Sequence, residues 1–355
     1  MRQTARFAHT TSCVALAALG LVGASAFAQS NVTLYGNVDL GLLTGNNNIE
    51  SQVYNGGISP SIWGLKGSED LGGGLKAFFN LESHFSADTG AQVGGMFRRQ
   101  ANLGISSASL GTLTLGNMYS PAVLAFAATD PRGLRENFSG LYPWAYNSGV
   151  LVGGSSNSDV GVFMHNAVAY SNTLGPVGIS ASYSLSEKDA AATTGGAVTA
   201  LGLTYSDAVN LSAAYQAADH PGGQQASKMF SVGAGYTMGA FTAKANYLSA
   251  TNKDTAGVKT SDVGVLGLGV DWKTSSANTV TAAFYRGKDD RVSNSGTSTL
   301  ILANEYALSK RTTVYGQVAF ANADAAAGLR TSVVAGGTAA DKNTRVLNVG
   351  IKHAF

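Results

Sequence analysis

From residue 32 onward the chain alternates apolar and polar side chains with a period of two. Val32, Leu34, Val38, Leu40 and Leu42 are interleaved with Thr33, Tyr35, Asn37 and Asp39. Successive side chains along a strand point to opposite faces, so such a segment has one greasy face and one polar face. The pattern returns at Phe241–Tyr247, at Val280–Tyr285, at Thr313–Phe320 and at Leu347–Phe355. No segment after residue 28 carries a long apolar run at helical spacing, so the chain is predicted to be all-β.

Turn chemistry separates these segments, and the connections alternate in length. Short ones include Asp70-Leu71-Gly72-Gly73-Gly74, Leu174-Gly175-Pro176, Met238-Gly239 and Leu308-Ser309-Lys310-Arg311. Long polar ones include 45–57, 186–196, 219–227, 250–259, 287–298 and 322–343. Sixteen strands are predicted, starting near residues 32, 58, 75, 97, 112, 162, 177, 198, 210, 229, 240, 261, 278, 299, 312 and 344. Strands of about 9–11 residues suit a tilted crossing of a bilayer.

Composition narrows the choice between a soluble sandwich and a membrane barrel. Only 12% of residues are charged, against about 25% in an average globular protein. Glycine is frequent, at 45 of 355 residues, which fits close strand packing and bends. The polar face is rich in Tyr, Asn, Lys and Glu, as a wet interior requires. Alternating short and long connections match the two ends of an outer-membrane barrel. A sheet in lipid must close, because an open edge strands backbone hydrogen-bonding groups. The predicted fold is therefore a 16-stranded antiparallel transmembrane β-barrel, wide enough to enclose water. Charge is close to balance, with 23 basic and 21 acidic residues and no basic block. No nucleic-acid partner is expected on that ground.

The first 28 residues form a separate unit. Arg2 and Arg6 precede the apolar stretch Val14–Val22, and Ala26-Phe27-Ala28 is a small-x-small cleavage pattern. Residues 1–28 are predicted to be a cleaved signal peptide and residues 29–355 the barrel. Cleavage would remove Cys13, the single cysteine. The exported chain would then lack disulfides, thiolate metal ligands and a cysteine nucleophile.

Several blocks resemble the general-diffusion porins of Gram-negative outer membranes, in the beta-proteobacterial branch. They are Val32-Thr33-Leu34-Tyr35-Gly36, the run Trp63–Ala77, Arg99-Gln100-Ala101, Leu110–Gly116, Tyr306–Thr312 and the terminal Gly350-Ile351-Lys352-His353-Ala354-Phe355. The resemblance spans the chain after residue 28. It implies a homotrimer in the cell outer membrane, surrounded by lipid and lipopolysaccharide. It also implies that Phe355 is read as an assembly signal by the outer-membrane assembly machinery. Small hydrophilic solutes and ions would cross by passive diffusion, without an enzymatic step.

Function is expected at a constriction. The stretch from Tyr119 to about Gly161 is the longest without a strand pattern, and it carries apolar groups such as Val123, Leu124, Phe126, Leu141 and Trp144. Such content is costly in open water, so this third external loop is predicted to fold into the lumen. Its charges are Asp130, Arg132, Arg135 and Glu136. They would set a transverse field at the neck, or hold the loop by ion pairs. On the wall, parity assigns Asn37, Asp39, Lys76, Asn80 and Glu82 to the lumen. Arg99 keeps one basic wall position of the family, whereas Ile62, Asn117 and Phe163 stand where relatives carry Arg. Yet Arg99 has the parity of Leu103 and Ile105, which would turn it outward unless a bulge intervenes.

Other chemistry is thin. The histidines after residue 28 are scattered, with no metal-ligand spacing, so neither metal nor cofactor is expected. Gly72-Gly73-Gly74-Leu75-Lys76-Ala77 fits a loose dinucleotide fingerprint, but no helical pattern follows and a turn is the better reading. An alternative to a general pore is a substrate-selective channel with a binding track along the third loop, formed by Phe126, Phe138, Tyr142, Trp144 and Tyr146.

Overall fold

In the computed structural model the described residues are 31–47, 49–135, 138–141, 162–186, 196–220, 222–327 and 342–355. The predicted signal peptide lies outside them, as do Glu136, Tyr142, Trp144 and Tyr146. Among the described residues, seventeen strands make one sheet. In chain order they are β1 Asn31–Gly45, β2 Gln52–Asn55, β3 Ile62–Gly72, β4 Leu75–His84, β5 Gln100–Ser107 and β6 Gly111–Tyr119. After the helix α1 (Pro121–Ala127) come β7 Phe163–Leu174, β8 Val177–Ser184, β9 Val198–Ser206, β10 Val209–Asp219 and β11 Gln225–Met238. The last six are β12 Phe241–Lys253, β13 Lys259–Lys273, β14 Asn278–Asp289, β15 Thr297–Ala307, β16 Thr312–Ala323 and β17 Lys342–Ala354.

All pairings are antiparallel neighbours, and β1 pairs with β17 from Asn37↔Ala354 to Gly45↔Val346, which closes the barrel. β2 and β3 share one stave: β2 pairs with Leu40–Leu43 of β1 and β3 with Asn31–Asn37. Seventeen strands thus fill sixteen staves. The chain between β2 and β3 leaves the wall and dips into the lumen. That dip lies within and just after the segment expected to be a long external loop (45–57). Its irregular composition hides a four-residue strand.

The barrel is inverted relative to a soluble protein. Leu34, Leu42, Leu103, Ile105, Leu203, Leu268 and Ile351 are exposed on its outer face. Asn37, Asn102, Ser212, Gln216, Asn246, Gln317 and Asn348 are buried on the inside. In lipid the exposed Leu and Ile are the satisfied residues. At the short-turn end of the wall Phe241 stacks on Trp272 with centroids 5.9 Å apart. Gly72, Gly73 and Gly74 all adopt positive φ in the β3–β4 turn, so the glycine run is turn chemistry.

Several strands continue past the predicted boundaries. β12 extends to Lys253 and β14 to Asp289, while β11 begins at Gln225. Beyond the bilayer both faces meet water, so alternation disappears from the sequence although the ladder continues.

At the seam, Phe355 donates to the Gly36 carbonyl at 3.0 Å and accepts from the Gly36 N–H at 3.3 Å. A Cβ on Gly36 would lie 2.6 Å from the Phe355 ring. The terminal residue is therefore part of the closure between the first and last strands.

Candidate functional site: the neck of the barrel

The described part of the third external connection, residues 120–135 and 138–141, leaves β6 and lies along the inner wall. It opens with the short helix α1, capped by Ser120, whose hydroxyl accepts from the Ala122 N–H at 3.2 Å. The same hydroxyl donates to Gln216 Oε1 on β10 at 2.5 Å. Pro121, Ala122, Val123, Ala125 and Phe126 are buried against the wall. Farther on, the Thr129 hydroxyl bonds Ser212 of β10 at 2.6 Å and accepts from Asn246 Nδ2 of β12 at 2.7 Å.

Glycines make this contact possible. A Cβ on Gly202 of β9 would lie 2.3 Å from the Pro121 carbonyl oxygen. One on Gly233 of β11 would lie 2.0 Å from Thr129 Oγ1, and one on Gly269 of β13 would lie 2.7 Å from Pro131 Cβ. The high glycine content thus has a local cause: lumen-facing positions under the loop have no room for side chains.

Asp130 is fully buried. Its carboxylate accepts from the Tyr285 hydroxyl of β14 at 2.8 Å and from the Leu134 N–H at 2.6 Å. Burial pushes this carboxyl above its ordinary range, and those two donors oppose the shift. Arg132 is also buried. Its backbone N–H donates to the Tyr285 hydroxyl, and its guanidinium donates to Gln317 Oε1 of β16 at 3.1 Å. Glu305 of β15 lies 3.5 Å from the same guanidinium. Burial lowers the Arg132 pKa, and Glu305 pulls in the other direction. Arg135 holds Glu305 with two hydrogen bonds, 2.8 and 3.3 Å, while remaining partly open to the lumen. Asp130 and Arg132 therefore pin the loop, and Arg135 is the loop charge that meets water. Glu136 lies outside the described residues.

The dip between β2 and β3 meets this loop from the other side. Asp39 is buried and accepts from the backbone N–H groups of Ile58 (2.9 Å) and Ser59 (2.7 Å) and from the Tyr315 hydroxyl (2.5 Å). Gln317 donates to the Gly57 carbonyl at 2.7 Å, so one amide touches both inward segments. Asn37 is buried beside them and donates to the Pro60 carbonyl at 2.8 Å. Lys352 of β17 faces the same space, within electrostatic reach of Arg135, Asp39 and Glu305.

On the neighbouring wall, Glu82 of β4 bonds Arg99 at 2.9 Å and accepts from the Tyr35 hydroxyl of β1 at 3.0 Å. Arg99 also bonds Tyr119, and its guanidinium lies 5.3 Å from the Phe163 ring centroid. The parity conflict for Arg99 disappears because β5 begins only at Gln100. Arg99 precedes the strand, is freed from its alternation and turns toward Glu82. Asn80 accompanies Glu82 on the same face, bonding Asn102 at 3.1 Å. Lys76 shares that parity but is exposed next to the short β3–β4 turn, away from the neck. Lys66 of β3, a basic residue near the wall positions where Ile62 replaces the Arg of relatives, stands 5.0 Å over the Tyr35 ring. Glu305 and Gln317 were missed in the sequence. Each lies on a late strand whose lumen parity was legible, but nothing local marked it as the partner of a loop some 170 residues earlier.

Of the aromatic track along the third loop, Phe126 and Phe138 are fully buried in the loop's packing and do not line the passage.

A closed barrel with a polar interior, greasy exterior and inward-folded loop defines a diffusion channel of an outer membrane. The model of the Gram-negative porin family matches residues 15–326, and the chain belongs to that family. It is 31% identical to outer membrane porin protein 32 of Delftia acidovorans, over 97% of this chain and 99% of that one. The anion-selective porin from Comamonas acidovorans superposes with a TM-score of 0.80 at 25% identity, covering 92% of this chain and all of that one. The trimer form of OmpT of Vibrio cholerae shares the fold, with a TM-score of 0.68 at 12% identity over 92% and 99% of the two chains. The protein is an outer-membrane porin, a water-filled route for passive diffusion of small hydrophilic solutes.

Proposed function

We propose that this pore favours small anions, and that Arg135, Lys352 and Lys66 provide the bias. The observation that carries this reading is an asymmetry in how the lumen charges are engaged. Among the described residues, the neck carboxylates are covered by donors. Asp39 and Asp130 each accept from backbone N–H groups and a tyrosine, Glu82 holds Arg99, and Glu305 is shared by two arginines. Asp271 of β13 is paired with Lys244 at 2.9 Å. Lys66 is exposed, while Lys352 and Arg135 are only partly covered. A permeating ion in a narrow, poorly screened passage responds to the charges left accessible. The anion selectivity named for the Comamonas acidovorans porin is in line with this reading.

The proposal extends to assembly. Residues 1–28 act as the export signal and residues 29–355 form the barrel. Three copies associate in the outer membrane, with Phe355 as the recognition element for insertion. The trimer form of the Vibrio cholerae relative supports the stoichiometry.

The test is the zero-current potential across planar bilayers under a potassium chloride gradient. The wild-type potential is expected on the anion side, and R135Q combined with K352Q is expected to move it toward cations. Unchanged potential in the double variant overturns the assignment. Conductance steps arriving in threes are expected for the trimer.

A further inference from the structure

We infer that residues 56–61, between β2 and β3, form a second constriction segment, and that Asp39 is its positioning residue. Together they limit the size of the solute that passes, separately from the third loop.

The register makes this segment surplus to the wall. Asn55 ends β2 and pairs with Leu40, while Ile62 begins β3 and pairs with Asn37. Only Val38 and Asp39 of β1 lie between those pairings, so a continuous strand would need two residues there. The chain has six, Gly56-Gly57-Ile58-Ser59-Pro60-Ser61. A common bulge adds one residue, and four extra residues cannot stay in the ladder. On the lipid side their backbone groups would be stranded. They turn instead into the lumen, over β1, β17 and β16. Gly57 lies so close to the Tyr315 hydroxyl and Asn348 Oδ1 that a Cβ would collide with both. Tyr315 and Asn348 are themselves buried on the inner face.

Asp39 holds the excursion at its middle and at both ends. Its carboxylate accepts from two successive backbone N–H groups, Ile58 and Ser59, and from the Tyr315 hydroxyl. Its own N–H donates to Ser61 Oγ at 3.0 Å, and its carbonyl accepts from the Gly56 N–H at 3.0 Å. Buried backbone groups need partners, and one residue supplies them where the wall ladder is interrupted. A buried carboxylate is tolerated when donors surround it. Parity puts Asp39 on the lumen side, but the segment it holds covers it, and its side chain is fully buried.

The passage meets the tip of the segment. Ser59 and Pro60 are half-buried, whereas Gly56, Gly57, Ile58 and Ser61 are buried. None of the six residues is charged. Asp39 pairs with Lys352 across the β1–β17 seam, and Lys352 lies within electrostatic reach of Arg135 and Glu305. The tip therefore stands at the height of the neck. A neutral, clamped projection there excludes by size and leaves the sign of the field to the charges beside it.

The full-length trimer is reconstituted, and variants are compared with wild type by single-channel conductance, by liposome swelling in arabinose and sucrose, and by zero-current potential. A variant lacking Gly57–Pro60 joins Gly56 to Ser61 and leaves the two residues that a continuous strand needs. It is expected to raise conductance and the sucrose-to-arabinose swelling ratio. Its potential is expected to shift toward cations, because the Asp39 carboxylate is bared. Gly57→Val pushes the segment off Tyr315 into the passage and is expected to lower the ratio. Asp39→Ala frees the tip and is expected to raise the ratio and the conductance, with the potential near that of wild type. A general folding defect would not move the ratio in opposite directions. An unchanged ratio in the deletion variant overturns the constriction. If that variant fails to assemble, an unchanged ratio in both point variants overturns it. A shift of potential toward anions in Asp39→Ala, with the ratio unchanged, overturns the positioning role and makes Asp39 a pore charge. Each comparison is with wild type, so none depends on the anion preference proposed above.

Discussion

The guanidinium of Arg132 lies 3.1 Å from Gln317 Oε1, and the Gln317 amide nitrogen lies 2.7 Å from the Gly57 carbonyl oxygen. One wall side chain therefore ties the third loop to the dip between β2 and β3. Gln317→Leu would strand a buried carbonyl and part of a buried guanidinium, at roughly 1–3 kcal/mol for each group. The expected outcome is a lower melting temperature and greater open-channel current noise, with conductance steps still present. Gln317→Glu should restore the contact to Arg132 but not the donor to Gly57. Its noise should fall between the two.

Asp130 provides a pH prediction. Its carboxyl in the docked loop is raised by burial, so the docked state binds a proton more tightly than the free loop. The stabilising contribution is fully present below the ordinary carboxylate value, about 3.9, and is lost as pH rises through the docked value. Loop docking should weaken with rising pH across that window. Asp130→Asn removes the titration and should flatten the dependence of thermal stability on pH. A slope as steep in the variant as in wild type would place the titrating group elsewhere.

Steric room under the loop is a third test. Gly233→Leu puts a side chain where Thr129 Oγ1 already lies, 2.0 Å from the first added carbon. The barrel ladder does not depend on that side chain, so trimers should form. The loop should be lifted from the wall, and liposome swelling rates for a disaccharide should change relative to wild type by more than those for a pentose.

The seam between first and last strands gives the fourth. Phe355→Ser should reduce the yield of folded barrel in the outer membrane, and Gly36→Leu should do the same by displacing the Phe355 ring. The two differ in vitro. If Phe355 acts only as an export-stage signal, the serine variant refolds normally from denaturant, while Gly36→Leu remains defective. Heat-modifiable mobility on gels distinguishes these outcomes.

Much of the architecture was legible because a membrane barrel imposes one strict rule, greasy outside and wet inside. Leu34 and Asn37, or Leu103 and Asn102, declare their faces by parity alone. Where that rule lapses, legibility lapses too. The strand Gln52–Asn55 was invisible because it is short and borders an inward dip. The upper parts of β12 and β14 looked like loops because both of their faces meet water. Arg99 looked outward because its strand was assumed to begin three residues too early.

Amino-acid order by itself determined the closed, alternating sheet, the short and long ends, and a third connection too apolar for open water. These follow from local chemistry, repeated strand by strand. Only the tertiary structure decided which charges the water meets. Asp130 and Arg132 are consumed in holding the loop, Glu305 and Gln317 arrive from strands far along the chain to receive them, and Arg135 is left partly open. The physical reason is that a buried charge must find partners wherever the fold brings them, and nothing in local sequence records that meeting.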